Sequence, residues 1–546
     1  MSVSHDLFVL FRSYLTIDGV SLSFHVRMIR TLHRRYIPLV LPRSNGYLSQ
    51  YFSCTSRVAN KSPPPVDENG LYYGQFTKQE YHEAAKVIKE QIGKLEGDIM
   101  GDKNIRENVG KMPQFPQRDG EVSKITNLTD LFVQTIKTTG PISLSAYMRQ
   151  CLTHPEFGYY TTRDPLDIIN GDFITSPEIS SVFGEMIGIW LFTVWKAQNC
   201  PQRIRIIEFG PGRGTLMHDV LKTFNKFAKD VNIEINLIEA SPVLRQEQWK
   251  LLCGESKRYE TTSEGFNVST TQWNNSIKWL DTEKDITSDE SVANYTLAHE
   301  FFDALPIKSF ERTEHGWREL VVEHTDSVVN TQPKLPEATS VRETKEAHTN
   351  IDPELFDTQF HLTLSPKETP SSILPSLSKR FKDLPVGSRV EVCTEAELYT
   401  MKMVQLINNE KNLGAVLIID YGLVNQIPEN SLRGIYKHKF VSPFIKPGEV
   451  DLSIDVDFDS IVNLTEKFST TFGPIDQGDW LHNLGIGYRA EQLIKQNESD
   501  YITQEKIYNA YKRLTDKDEK SMGKIYKFLC LLPQDSPPPV GFGGSV

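Results

Sequence analysis

Short apolar runs alternate with stretches of helical spacing through the middle of the chain. Five of these runs predict strands, and helical segments separate several of them. Such alternation is typical of a mostly parallel α/β sheet that helices cover on both faces. The ligand crevice of such a sheet lies at the carboxyl ends of its strands. The predicted strands are 204–209, 233–239, 277–280, 294–299 and 415–420.

Polar segments divide the chain into parts. A helical pattern begins near Asn127 and is interrupted at Gly140-Pro141, and a second polar stretch follows much later in the chain. We predict a leader with a linker at 1–66, a polar helical or disordered extension at 67–126, a main domain at 127–495 with a polar surface insertion at 324–350, and a C-terminal helical segment with a mobile Pro/Gly-rich tail at 496–546.

The leader differs in composition from the rest of the chain. No Asp or Glu occurs between Gly19 and Val66, whereas seven Arg and Lys residues lie there among Ser, Leu and aromatic residues. Near Met28, apolar and Arg residues fall on different faces of a helical pattern. This composition is typical of a mitochondrial transit peptide and predicts a mitochondrial location. A disordered basic tail or a membrane-surface anchor is the alternative.

The composition excludes several classes of function. The chain of 546 residues is 39% hydrophobic and 24% charged with a net charge of -11, so it lacks the basic field of a general nucleic-acid binder. No apolar run reaches the roughly 18 residues that span a bilayer, so we expect no stable membrane insertion. The six cysteines form no C-x-x-C pair and the 13 histidines no H-x-x-x-H pair, so no metal site is predicted.

Three alternating glycines follow the first predicted strand of the sheet. Gly210, Gly212 and Gly214 stand between that strand and a helical pattern, where they permit a tight turn and let a ligand approach the backbone. Glu239 ends the next predicted strand, where its carboxylate can accept hydrogen bonds from both hydroxyls of a ribose. Together these positions predict a ligand that contains adenosine.

Two further residues distinguish between the adenosine ligands. Thr215 stands where a dinucleotide-binding turn has its third glycine, and Glu208, two residues before Gly210, would repel a pyrophosphate. A carboxylate there suits a ligand that carries an ammonium and a sulfonium, which predicts S-adenosylmethionine. Two alternatives stay open: a turn without a ligand, in which Glu208 is structural, and a nicotinamide-dependent oxidoreductase.

Six ordered sequence blocks between about Leu128 and about Leu493 resemble the signature blocks of the MidA family. They are HPEFGYYTTRDPL, GDFITSPEISSVFGEMIGIWL, EFGPGRGTLMHDVL, AHEFFDALPIKSFE, SLRGIYKHKFVSP and QGDWLHNLGIGYRAEQL. MidA proteins are class I S-adenosylmethionine-dependent methyltransferases with a seven-strand, Rossmann-like α/β fold. The resemblance implies this methyltransferase fold for the main domain, with added helices and a hairpin region that forms a substrate subdomain.

The resemblance also implies a function. Mitochondrial members of the family are protein-arginine methyltransferases that serve the assembly of respiratory complex I. S-adenosyl-L-methionine is then the cofactor, the matrix the location and a complex I subunit the protein substrate. The alternative is an assembly chaperone that keeps the cofactor-binding fold without catalysis. The cofactor-binding residues implied by the resemblance are Glu208, Gly210, Pro211, Gly212, Gly214 and Glu239.

An arginine acceptor requires carboxylates near the cofactor. The guanidinium is protonated at neutral pH, and paired carboxylates can hold it and localise its charge away from the attacking nitrogen. Glu300 and Asp303 follow the predicted strand 294–299, and a helical turn there would place both carboxylates on one face. Glu178 is a third catalytic candidate. The alternatives are structural: an ion pair for Glu300, a cap for Asp303 and a helix start for Glu178.

One more acidic pattern lies in the segment EVDLSIDVDF. Asp451, Asp455 and Asp457 occupy alternate positions, and apolar residues stand between them. This alternation predicts a half-buried strand whose acidic face is solvated. A hard metal ion bound by the three carboxylates is the alternative.

Overall fold

The computed structural model of the protein describes residues 125–162, 175–331 without 288, and 353–544 without 410, 412 and 520. The predictions for 1–66 and for all but the last two residues of 67–126 lie outside the described residues. In chain order the helices are α1 (Leu128–Thr139), α2 (Leu144–Thr153), α3 (Tyr159–Thr162), α4 (Ser176–Ile179), α5 (Ser181–Ala197), α6 (Thr215–Phe227), α7 (Pro242–Cys253), α8 (Leu374–Leu377), α9 (Thr394–Ile407), α10 (Phe458–Thr465), α11 (Gln477–Asn483), α12 (Ile486–Gln496), α13 (Tyr501–Thr515) and α14 (Met522–Ile525).

The strands form three sheets. They are β1 (Ile142–Ser143), β2 (Arg203–Phe209), β3 (Asn232–Ile238), β4 (Glu260–Thr261), β5 (Asn267–Thr270), β6 (Ser276–Leu280), β7 (Ala293–His299), β8 (Lys308–Thr313), β9 (Gly316–Asn330), β10 (Asp357–Leu364), β11 (Arg389–Val392), β12 (Gly414–Tyr421), β13 (Arg433–Tyr436), β14 (Lys439–Val441), β15 (Asp451–Ser453), β16 (Thr470–Asp476) and β17 (Tyr526–Leu532).

The first two helices follow from local capping chemistry. The Asn127 side chain accepts a hydrogen bond from the Asp130 backbone N–H at 2.8 Å, which begins α1. Gly140 ends this helix with φ 85°, a conformation that favours glycine. The Ser143 side chain then accepts from the Ala146 N–H at 3.2 Å and begins α2. The predicted break at Gly140-Pro141 is confirmed.

The central sheet has nine strands in the order β16-β17-β12-β7-β2-β3-β6-β5-β4. The five strands from β12 to β6 are mutually parallel, and β17 is antiparallel to both of its neighbours. The five predicted strands correspond to β2, β3, β6, β7 and β12, with ends that differ by one residue. Seven strands from β6 to β16 therefore form the predicted Rossmann-like α/β sheet.

Helices cover both faces of this sheet, as predicted. Alternate residues of β2 point to opposite faces: Ile206 packs into the cluster that contains α5 and α6, and Ile207 into the cluster that contains α9 and α10. Both side chains are fully buried. The apolar runs predicted as strands are apolar at consecutive positions because each face of the sheet packs against helices.

A second, antiparallel sheet has the order β1-β9-β8-β11, with β10 also paired to β9. The β8–β9 hairpin closes between Thr313 and Gly316. A third sheet of three strands has the order β14-β13-β15, and its apolar residues share a core cluster with α1 and α2. In the chain, β8 to β11 lie between β7 and β12, and β13 to β15 follow β12.

The end of the main domain differs from the prediction. We expected the domain to end at 495, but β17 lies between β12 and β16 in the central sheet. The Pro/Gly-rich tail that follows, predicted to be mobile, packs against α11: Gly541 is buried, and its carbonyl accepts a hydrogen bond from the Asn483 side chain at 3.2 Å. A Cβ at Gly541 would lie 2.6 Å from the Trp480 indole nitrogen, so this contact needs glycine.

The predicted surface insertion also differs in part. Residues 324–330 continue β9, where they pair with β10, so this part of the segment 324–350 is a strand. This end of β9 is largely exposed and therefore polar. Composition alone does not distinguish an exposed strand end from a loop. The remainder from 332 lies outside the described residues.

The acidic segment 451–457 is not solvated, so that prediction is wrong. Asp451 and Asp455 are buried, and each carboxylate has a partner: Asp451 accepts from the Tyr160 hydroxyl at 2.8 Å and Asp455 from Arg433 at 2.8 Å. The half-buried Asp457 accepts from Arg380 at 2.7 Å. The added elements cover both faces of this strand, and alternation cannot reveal cover that comes from distant segments.

No helix in the described ranges is both long enough and apolar enough to cross a membrane.

Candidate active site

The predicted glycine turn connects β2 to α6. Gly210, Gly212 and Gly214 have φ values of 61°, 53° and 83°, which residues with a side chain rarely adopt. The Gly214 N–H donates to the carbonyl of the buried Pro211 at 2.8 Å, and α6 begins at Thr215. The turn therefore presents backbone at the carboxyl end of β2, as the sequence predicts.

Glu208 lies in β2 just before this turn. Its side chain is buried, and Oε2 has no hydrogen-bond partner among the described residues. Burial raises the pKa of this carboxyl to about 8, and the charges of Glu178 and Glu239 contribute. An uncompensated carboxylate in a buried position is unfavourable unless a cation joins it, so this residue is suited to a positively charged ligand.

Glu239 follows β3 directly. Its carboxylate accepts from the Ser241 N–H at 2.8 Å and from the Gln248 side chain at 3.1 Å. Burial raises its pKa to about 7 against the effect of these hydrogen bonds. The Ala240 backbone contributes a third hydrogen bond, so of the roughly four acceptor positions of a carboxylate about one remains for a ligand hydroxyl. Glu239 therefore remains a candidate to accept a hydrogen bond from a ribose, the role that the sequence predicts.

Gln248 connects Glu239 to the glycine turn, a role that the sequence did not indicate. Its side-chain amide donates to the Gly212 carbonyl at 2.6 Å, and its carbonyl accepts from the Trp279 indole N–H at 2.8 Å. The residue lies on the buried face of α7. Only its burial, which the sequence does not reveal, marks this amide as part of the site.

Glu300 follows β7 with φ 49°, an uncommon conformation for a residue with a side chain. Its backbone N–H donates to the Ile419 carbonyl at 2.9 Å, which holds this conformation at the end of β12. Oε1 has no hydrogen-bond partner among the described residues. Burial and the charges of Asp303 and Glu178 raise its pKa well above the usual range, against hydrogen bonds from the Tyr526 hydroxyl and the Ser176 N–H.

His299 is the immediate neighbour of Glu300. Its Nε2 lies 3.5 Å from Oε1 of Glu300 but has no hydrogen-bond partner among the described residues. Burial lowers the pKa of His299 to about 3, so the imidazole is neutral at physiological pH. His299 therefore supplies no cation for a structural ion pair, the alternative interpretation of Glu300.

The loop from Glu300 to Asp303 is not helical, so that prediction is wrong. Asp420, at the end of β12, holds the loop instead, because its carboxylate accepts from the Phe302 and Asp303 N–H groups at 2.9 and 3.3 Å. The Asp303 side chain is buried and accepts from the Tyr421 hydroxyl. The two predicted acids are nevertheless adjacent, since the charge of Asp303 raises the pKa of Glu300.

Glu178 lies in the first turn of the short helix α4 and accepts from the Thr175 hydroxyl. A further hydrogen bond comes from Thr215, the first residue of α6. Burial raises the pKa of Glu178, and its charge raises the pKa of both Glu208 and Glu300. The structure therefore brings Glu178 between the predicted cofactor side and the predicted acceptor side of the crevice.

The described site is a group of buried carboxylates beside a glycine turn. A model of a family described as putative S-adenosyl-L-methionine-dependent methyltransferases matches residues 186–475, which include β2, the glycine turn and the Glu300 loop. The chain belongs to this methyltransferase family. The oxidoreductase alternative is therefore wrong.

Curated relatives agree over most of the methyltransferase chain. The protein arginine methyltransferase NDUFAF7, mitochondrial, of Xenopus tropicalis is 32% identical over 418 residues, which are 74% of this chain and 87% of the relative. Its human counterpart is 32% identical over 414 residues, 75% and 84% of the two chains. The Drosophila melanogaster homolog is 33% identical over 419 residues, 74% and 86%. The names support the predicted mitochondrial location.

A solved structure supports the fold of the methyltransferase. A protein from Burkholderia thailandensis, crystallised with S-adenosyl-homocysteine, superimposes with a TM-score of 0.55 at 20% identity. The match covers 76% of this chain and 94% of the bacterial one. The predicted class I methyltransferase fold is thus confirmed.

The cofactor of the family is S-adenosylmethionine, and the residues at the glycine turn fit it. The buried, unpartnered Oε2 of Glu208 is suited to a cation, and the remaining acceptor position of Glu239 is suited to a hydroxyl. The three glycines of the turn have positive φ angles and no side chains, so a ligand can approach the backbone there. The predicted structural alternative for Glu208 does not explain an oxygen that no described group satisfies.

Three residues of the acceptor side were missed by the sequence analysis. Asp420 and Tyr421 end β12 and hold the Glu300 loop, and Tyr526 begins β17. Asp420 stands at a strand end like Glu208 and Glu239, so the same rule would have found it. Tyr526 could not be found in this way, because its approach to Glu300 depends on where β17 inserts in the sheet.

Proposed function

We propose that this methyltransferase transfers the methyl group of S-adenosylmethionine to an arginine side chain of a mitochondrial matrix protein, a subunit of respiratory complex I. The names of the curated relatives support an arginine acceptor, and the resemblance to the MidA family supports the complex I partner. The observation that best supports this proposal is the group of buried carboxylates on the acceptor side of the crevice. Among the described residues, Oε1 of Glu300 has no hydrogen-bond partner.

The proposed cofactor residues are Glu208, Pro211, Glu239 and the three glycines of the turn. Glu208 neutralises the positive charge of the cofactor, and Glu239 accepts a hydrogen bond from its ribose. When bound, S-adenosylmethionine supplies an electrophilic methyl carbon on a sulfonium, so no covalent enzyme intermediate is required.

The proposed acceptor residues are Glu300, Asp303 and Glu178. A guanidinium offers five N–H donors and bears a permanent charge, which matches a group of buried carboxylates in which Oε1 of Glu300 has no partner among the described residues. Its arrival lowers the pKa values that burial raises in all three residues, and that neighbouring charges raise further in Glu300, so the carboxylates ionise as the acceptor binds. The charge of the guanidinium is then drawn toward the carboxylates and away from the nitrogen that accepts the methyl group.

Glu300 is also the proposed proton acceptor. The attacking nitrogen must lose a proton when its bond to the methyl carbon forms. The raised pKa of Glu300 makes its carboxylate a better base than an exposed glutamate, since a buried carboxylate gains more by binding a proton. Tyr421 holds Asp303, and Asp420 holds the loop, so both carboxylates keep their positions during this step.

The test is methylation of isolated complex I subunits by the purified protein with isotopically labelled S-adenosylmethionine, followed by mass spectrometry of arginine-containing peptides. We expect label on arginine. Label on lysine or on a small molecule would overturn the arginine assignment. Cofactor binding without transfer to any subunit would support the assembly-chaperone alternative instead.

A further inference from the structure

Glu178 forms one wall of a cleft that opens to solvent. The cleft has a volume of about 720 Å³, within the range of pockets that bind drug-sized ligands. Ile179 continues the same wall, and the opposite wall is a face of α13. Glu178 accepts a hydrogen bond from Thr215, the first residue after the glycine turn, and Ser176, two residues before Glu178, donates its N–H to Glu300, so this cleft borders the carboxylates of the candidate site.

The two walls of the cleft differ in charge. The α13 wall contributes Lys506, Lys512 and Arg513, with Asp516 as its single acid. Lys512 lies 3.3 Å from Asp516 across a solvent-exposed pair, which exchanges readily because such pairs gain about 0 to 1 kcal/mol. The α13 wall therefore has a net positive charge, while the opposite wall has the carboxylate of Glu178.

An arginine-containing peptide would meet both walls. Its target side chain is attracted to the inner carboxylates, but the cations of α13 repel a peptide that has only positive charges. A peptide with acidic residues beside its target arginine satisfies both walls at once, because charge complementarity across an interface rewards the matching sequence and penalises the others.

We infer that the acceptor chain enters through this cleft, and that Lys506, Lys512 and Arg513 select substrates with acidic residues beside the target arginine. This inference rests on the proposed arginine methylation. It adds a substrate class, namely arginines with acidic flanking residues. It also adds a surface on α13 that determines specificity and is separate from the cluster of buried carboxylates.

The test compares two fluorescein-labelled peptides of equal length, each with one central arginine, one with Glu and the other with Gln at the flanking positions. Binding is measured on the full-length protein saturated with S-adenosyl-homocysteine. We expect the Glu peptide to bind about three- to tenfold more tightly, the scale of a few exposed ion pairs, and the preference to shrink at high salt. Equal binding of the two peptides would overturn the inference.

The variant for this test is the double substitution Lys506→Glu with Lys512→Glu. Both side chains are exposed, so the fold should tolerate the change, and a thermal melt checks this. The preference for the Glu peptide should vanish, while affinity for S-adenosylmethionine stays unchanged. The matched control is Lys495→Glu on α12, an exposed lysine paired with Glu491 that does not line the cleft. A preference that survives in the double variant, or is lost in the control, would contradict the assignment to α13.

Methyl transfer to the same peptides separates this inference from the proposed function. Preference in binding without transfer to arginine would contradict the proposed function and leave the α13 surface supported. Transfer to both peptides at equal rates with equal binding would support the proposed function and overturn the inference.

Discussion

On the cofactor side of the crevice the Glu239 carboxylate already accepts three hydrogen bonds, whereas on the acceptor side Oε1 of Glu300 has no partner among the described residues. Gln248 ties Glu239 to the glycine turn, so the cofactor side is ordered by neutral donors. The acceptor side instead holds several buried acids that raise one another's pKa values.

This difference teaches how the two ligands are bound. On the proposed cofactor side, hydrogen bonds connect Gln248, Glu239 and the glycine turn before a ligand arrives, while Oε2 of Glu208 is left for the positive charge of the ligand. On the proposed acceptor side, burial and neighbouring charges favour protonated carboxyl groups, and a cation would shift them toward the ionised form. We therefore expect a positively charged side chain to be the ligand of this side.

The largest effect is expected from Glu300→Gln. This change keeps the shape of the side chain but removes the charge that holds the acceptor, so methyl transfer at saturating cofactor should fall by about two orders of magnitude or more. Affinity for S-adenosylmethionine, measured by calorimetry, should change little. Glu264→Gln, at an exposed loop position, is the control and should behave like the wild type. A normal rate with weakened cofactor binding would move Glu300 to the cofactor side and remove the contrast.

A smaller and opposite effect is expected from Glu239→Ala. Loss of the ribose contact should weaken S-adenosylmethionine binding by about 1.5 to 3 kcal/mol, the scale of a charge-assisted hydrogen bond. Part of the rate should survive at saturating cofactor, since the acceptor carboxylates are untouched. Glu255→Ala serves as control, because Glu255, which follows α7 in the chain, is exposed. If the saturated rate collapses while calorimetry gives normal affinity, the two sides are not separate.

The smallest effect is a pH dependence on the cofactor side. The pKa of Glu208 is about 8, so its carboxyl holds a proton that must leave before a cation binds. Affinity for S-adenosylmethionine should therefore rise from pH 6 to pH 7, by at most about tenfold for the proton of Glu208, and the Glu239 carboxyl, whose pKa is about 7, adds to the rise in the same window. This window lies below the usual pKa of an α-amino group, about 7.7 to 8.0, so the charge of the ligand changes little. In Glu208→Gln the rise should shrink; an equally steep rise would assign the proton to another group.

The cofactor side was largely accessible to prediction from the sequence. Each of its chief residues lies at the end of an apolar run or in the glycine turn, and such signals depend only on near neighbours in the chain. Gln248 was missed because an amide on a helix carries no comparable signal. The sequence pattern also does not identify the hydrogen-bond donors to each carboxylate oxygen, such as Ser241 and Gln248 at Glu239.

On the acceptor side, the sequence predicted which residues are present but not the conformation of the loop that holds them. Glu300 and Asp303 are adjacent, yet the loop between them follows hydrogen bonds to Asp420, more than 100 residues away in the chain, rather than helical spacing. Spacing predicts which residues share a face only where a regular element exists. The positive φ of Glu300 shows that distant contacts, not local preference, fix this segment.

The sequence by itself determined the five parallel strands, the turn of three glycines and the choice of a cationic adenosine ligand, because periodicity and residue chemistry are local properties. Only the tertiary structure decided that β17 completes the central sheet, that Asp451 and Asp455 are buried, and that the charge of Glu178 acts on both Glu208 and Glu300. These features depend on the order of strands in the sheet and on packing between distant segments. Burial is the main cause of the raised pKa values at this site, and it arises, like the smaller repulsion between carboxylates, only when the chain folds.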